Sequence, residues 1–149
     1  MNSLFHPADC EALRRRFADL QPDGPRLWGK MDAAQMVAHC AKGLEAAMTD
    51  RPVKRAVLGR LVAPFLRPLI LGSRPFRRNV PTDPSFRVSD PRDFETELRR
   101  LAHLLDRFVQ RGPEQAARVP HVFFGRLRGD QWGRLLFKHL DHHLRQFGV

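Results

Sequence analysis

Near the C-terminus, the run Lys138-His139-Leu140-Asp141-His142-His143 places two histidines four residues apart. On a helix that spacing stacks two side chains one turn apart on the same face. At about 100° per residue, with Trp132 as zero, Leu136 falls at ~+40°, Phe147 at ~+60° and Leu140 at ~+80°. On the same scale His139 falls at ~−20° and His143 at ~+20°, inside the apolar stripe, while Asp141 at ~180° is predicted to face solvent. His142 lies about 80° off the shared face, a rim or solvent position.

Two neighbouring imidazoles on a core face need partners. Each neutral ring carries one donor and one acceptor nitrogen, and an unpaired one costs on the order of 1–3 kcal/mol. A divalent cation takes up both acceptor nitrogens at once, as in helical zinc sites. Separate backbone or water partners for two buried histidines are the competing explanation. The spacing is that of zinc peptidases, but Leu140 stands where their general base, a Glu directly after the first His, would be. Peptidase chemistry is therefore disfavoured.

A third ligand has to come from another element, and His39 is the best candidate. It shares a helix strip with Met36, Gly43 and Ala47, and the small members of that strip leave room for a second helix to approach. Gln35, one turn before His39, and Gln146, three residues after His143, are placed either to orient a ligand or bound water or simply to serve the helix surface and caps. His121, beside Val122-Phe123-Phe124, is a candidate for the border of a pocket. Asp83, in a proline-rich loop, has no direction fixed by the sequence.

These residues need long helices to hold them, and apolar spacing supplies four. The first is predicted from Pro7 to Leu20, with Leu13, Phe17 and Leu20 buried and Pro22, Gly24 and Pro25 ending it. The second runs from Asp32 to Thr49, with Asp32 and Gln35 in a capping-box pattern. A third starts near Asp90 with Pro91 in its first turn. It carries Phe94, Leu98, Leu101, Leu105 and Phe108 at alternating steps of four and three, and stops at Gly112-Pro113. The last spans Asp130 to Phe147. Between the second and third lies a long connection, residues 53–88, with Pro64, Pro68, Pro75, Pro81 and Pro84; Val57, Leu58, Leu61 and Val62 suit one short helix there, which Pro64 and Pro68 would kink or end. A second loop runs from Pro113 to Gly129. The expected class is all-α, a four-helix bundle with long crossover loops in a single domain over residues 1–149.

Composition removes several alternatives. The chain has 149 residues, 42% of them hydrophobic and spread along its length, which is enough for one core. Two cysteines, Cys10 and Cys40, do not make a disulfide scaffold, and Cys40 reads as a buried free thiol. With no secretory pattern in the first residues, a cytoplasmic location is expected. The most apolar stretch, Val57 to Leu71, is interrupted by Arg60, Pro64, Arg67 and Pro68 and falls short of the ~20 residues of a membrane span. The net charge of +10 raises nucleic-acid binding. The arginines are dispersed, however, and no aromatic-studded basic strand accompanies them, so a solvated cationic surface is the better reading.

Two segments carry a resemblance. Trp28-Gly29-Lys30-Met31-Asp32-Ala33-Ala34-Gln35-Met36-Val37-Ala38-His39 resembles the second-helix opening of a DinB-like family of unknown function. So does the end of the chain, from Phe123-Phe124-Gly125 through Trp132-Gly133 to Lys138-His139-Leu140-Asp141-His142-His143-Leu144-Arg145-Gln146-Phe147-Gly148, with a further match at Asn79-Val80-Pro81-Thr82-Asp83. The resemblance implies a four-helix bundle with one histidine from the second helix and two from the last, here His39, His139 and His143. It also implies a divalent ion (zinc, nickel, iron or manganese) and, in the wider superfamily, metal-dependent thiol transfer or hydrolysis on small molecules, with frequent homodimers. A metal-dependent enzyme acting on a small molecule, a thiol among the candidates, is therefore the leading expectation. A ligand-binding module without turnover comes second, because no acid–base residue stands beside the triad. A cationic protein on nucleic acid or an anionic membrane surface comes third.

Overall fold

The computed structural model describes residues 1–49, 67–68, 70–80 and 83–149. The short helix expected over Val57–Val62 lies outside them. Among the described residues four long helices pack together with no strand, apart from one isolated antiparallel bridge between His121 and Gly125.

Helix α1 spans Pro7–Ala18, with proline in its first turn and Cys10, Leu13 and Phe17 buried. It ends two residues before the predicted Leu20, yet Leu20 stays in the core at 4% exposure because its N–H turns back to the Phe17 carbonyl. Helix α2 spans Ala33–Ala46, and its capping box forms as the sequence predicts. The Asp32 carboxylate accepts from the Gln35 N–H at 2.8 Å, and Gln35 Oε1 accepts from the Asp32 N–H at 3.1 Å. Most of α2 is buried, which its alanines and glycine permit: a small side chain lets neighbouring backbones close in on several sides.

Helix α3 spans Phe94–Ala116. It begins three residues after Pro91, not with it, because Asp93 is the cap that accepts the Thr96 N–H at 2.8 Å. Arg92, paired with Asp90 and Glu97, holds the chain before the cap. Gly112 does break the helix as expected, with φ 73 and ψ 173, but helical turns resume at Pro113 and continue to Ala116. The loop that follows is accordingly shorter than the sequence suggests. Helix α4 spans Gly129–Gln146 and buries Trp132, Leu136, Leu140, His143 and Leu144 along one face.

The α2 and α3 helices share the most extensive contact, and α4 touches α1, α2 and α3. The core runs between them, through Leu13, Met36, Leu44, Leu101, Leu105, Phe108, Leu140 and Leu144. Asp141 corrects its prediction: it is only 15% exposed, held at 2.7 Å by Arg16 of α1 and at 2.9 Å by Arg145. Arg16 also donates to the Val149 carbonyl at 2.8 Å. The face of α4 opposite the core is covered by this clamp from α1, which helical periodicity within α4 does not reveal.

Candidate metal centre

The α2 and α4 helices bring His39, His139 and His143 together although the first lies a hundred residues from the others. Their ligand atoms all lie within 4.8 Å of one another. Ring centroids are separated by 4.9 Å between His39 and His139, 4.7 Å between His39 and His143 and 4.8 Å between His139 and His143, with interplanar angles of 67°, 72° and 88°. The three rings are set at nearly equal distances and steep angles, clustered edge to face instead of stacked. Gly43 makes the approach possible: a Cβ there would lie 3.1 Å from Cε1 and 3.2 Å from Nδ1 of His139.

Hydrogen bonds fix which nitrogen two of the three rings, His39 and His143, keep free to bind. His39 Nδ1 lies 2.9 Å from the Phe86 carbonyl oxygen. A carbonyl only accepts, so Nδ1 carries the proton and Nε2 keeps its lone pair. Nε2 of His39 lies 2.9 Å from Nε2 of His139. His143 Nδ1 lies 3.0 Å from Gln146 Oε1, and the Gln146 amide is oriented by donating through Nε2 to the Trp28 carbonyl at 2.7 Å. The same logic protonates His143 Nδ1 and frees its Nε2. Gly29, at φ +81, leaves the space that the Gln146 amide occupies.

Burial keeps the rings neutral. His39 is 4% exposed and His143 9%. Loss of solvation lowers the pKa of His39 and brings that of His143 to about 3. His139 is densely surrounded while part of its surface stays open; desolvation, then the neighbouring His143 and His39, push its pKa well below the ordinary value. Neutral imidazoles are the form that ligates a metal.

The other predicted neighbours separate into roles. Gln146 orients His143. Gln35 spends its amide on the α2 cap and on the Asp90 carbonyl, 3.3 Å from Nε2. Asp83 caps a 3-10 turn, Pro84–Phe86, by accepting from the Ser85 N–H at 2.9 Å, and that turn presents the Phe86 carbonyl to His39. His121 accepts at Nδ1 from the N–H groups of Phe123 and Phe124, at 3.0 and 3.2 Å, and packs on Phe124 and Trp132. Its protonation would be felt at His139. His142 stands at a rim as expected, but an enclosed one: its ring lies 5.1 Å from that of His143 and 5.8 Å from those of Trp28 and Phe76. Sequence reasoning did not single out Phe86, Trp28 and Gly29. The first two act through main-chain carbonyls, which leave no side-chain signature.

A family model described as a protein of unknown function, DUF1569, matches residues 2–148. Neither a curated protein nor a solved structure matches the chain.

Proposed function

The chain belongs to this DUF1569 family, and from its buried triad we propose that it holds one divalent metal ion through Nε2 of His39, His139 and His143. The observation that carries the proposal is the pair of pinned tautomers. The Phe86 carbonyl and the Gln146 amide each take an Nδ1 proton, so the Nε2 lone pairs of His39 and His143 are left free to bind, that of His39 lying 2.9 Å from His139 Nε2. The residues fit the group: three neutral nitrogen donors, hydrogen-bonded from behind in the manner that orients metal-bound histidines. Imidazole donors suit zinc, nickel or iron, and manganese is the harder alternative. Such an ion, when bound, supplies Lewis acidity, drawing charge from a donor atom of the substrate and easing loss of its proton.

The protein's own part is to orient and to exclude water. His39 and His143 are locked from behind, Gly43 lets α2 close on His139, and His139 is not fully covered. This arrangement supports a DinB-like bundle acting on a small molecule, a thiol among the candidates, by group transfer or hydrolysis. A homodimer and a cytoplasmic location belong to the same reading. A second reading, a metal site that binds a ligand without turnover, draws on one observation: the residue after His139 is Leu140, and Gln146, the side chain bonded to His143, does not titrate.

Elemental analysis of untagged protein, purified without chelator, tests the proposal. About one equivalent of divalent metal per chain is expected, falling sharply in His39→Ala, His139→Ala and His143→Ala variants whose helical circular dichroism is unchanged. Undiminished metal in His139→Ala would refute it.

A further inference from the structure

Beside the triad lies a cavity of about 350 Å³, walled by Trp28, Phe76 and His142 and rimmed by Arg78, Lys138 and Arg145. It lies against the metal centre without being part of it: His142 lines the cavity on one side and meets the His143 ring on the other. Trp28 joins the two as well. Its ring forms a wall while its carbonyl anchors the Gln146 amide behind His143.

The lining is aromatic and cationic together. The Arg78 guanidinium sits 4.3 Å over the Trp28 ring, and Lys138 Nζ 4.6 Å over that of Phe76. Lys138 also donates to the Ile70 and Gly72 carbonyls, at 2.9 and 3.0 Å, which fastens the loop carrying Phe76 to α4 and keeps the cavity walled. One carboxylate, Asp141, lines the cavity, and it is shared between Arg145 and Arg16. Arg78 has no carboxylate partner among the described residues. A guanidinium without a carboxylate, set over flat aromatic walls, recognises an oxyanion joined to a flat body. The guanidinium takes the oxygens as a fork, and the rings take the rest. The volume suits a small molecule.

We infer that this cavity binds the carboxylate or phosphate end of a small molecule with a flat body and holds that molecule alongside the histidine triad. As an anion pocket it stands on its own geometry; as the substrate's pocket it rests on the metal reading above.

Calorimetric titration of chelator-stripped protein with benzoate, phenyl phosphate and the uncharged benzamide separates the possibilities. Saturable binding of benzoate, phenyl phosphate or both is expected, with benzamide weaker by about 10-fold or more, as loss of a charge-assisted contact implies. The preferred oxyanion tells carboxylate from phosphate. Arg78→Ala should weaken the preferred probe by a similar factor, while Arg134→Ala, which removes an arginine of α4 outside this cavity, should not. Benzamide binding as well as the anions, no saturable binding of either anion, or an unaffected Arg78→Ala variant would overturn the inference. His139→Ala keeps the two questions apart: it should bind the anion and lose the metal, so failure of one proposal is read independently of the other.

Discussion

The Nδ1 of His143 faces Gln146, whose amide is anchored to the Trp28 backbone, and Nδ1 of His39 faces the Phe86 carbonyl. What sequence reasoning can reach differs between the two. The four-residue spacing of His139 and His143 and their place in an apolar stripe are properties of one helix, so both were legible from the chain alone. His39 was legible only through family resemblance and its small neighbours. The Phe86 carbonyl was not legible, being main chain and forty-seven residues from the ring it serves. Burial of these rings has a consequence in pH. The ordinary histidine value is 6.5; desolvation brings His143 to about 3 and His121 to about 4. Between 6.5 and those values the unfolded chain binds protons that the folded chain refuses, so stability falls as pH falls through that window and is unaffected above it. Each such histidine contributes a slope of up to about 1.4 kcal/mol per pH unit. Scanning calorimetry of metal-free protein should show a melting temperature that is level above neutrality and declines steadily below about pH 6.5. A level profile down to pH 5 would contradict the burial of neutral rings.

At the scale of elements, the site depends on how closely α2 approaches α4. Gly43 sets that distance, since an added Cβ would press on the His139 ring at 3.1 Å. Alanine is also the better helix former, by about 1 kcal/mol in a helix interior. Gly43→Ala should therefore melt at or above the wild-type temperature while binding zinc on the order of 10-fold more weakly in a competition titration, because His139 must shift. Zinc affinity equal to wild type would show that the close approach has no role in the site. Helix interiors were legible from periodicity throughout, and their ends less so. The start of α3 is decided by the Asp93 carboxylate and by Arg92 pairing on either side of the cap, contacts that outweigh the proline at position 91. Gly112 interrupts the same helix without ending it, because Pro113 suits the first turn of a new helical segment.

Across the whole molecule, one helix gathers the rest. The α4 helix touches the other three, carries two of the three histidines, and through Asp141 is clamped to α1. That central position explains why the all-helical class was readable from four apolar stripes while the exposure of Asp141 was not. Periodicity assigns each helix one buried face, and α4 has neighbours on more than one side. The same helix contributes residues to both the triad and the cationic cavity, with His142 between them. The claim that one ion sits among His39, His139 and His143 is tested most directly by titrating metal-free protein with cobalt(II) and recording its visible absorption. The expected result is an absorption of low-coordinate, nitrogen-bound cobalt that saturates at about one equivalent and is lost in His39→Ala. A spectrum indistinguishable from free aqueous cobalt, or a protein-bound spectrum that His39→Ala leaves unchanged, would contradict it.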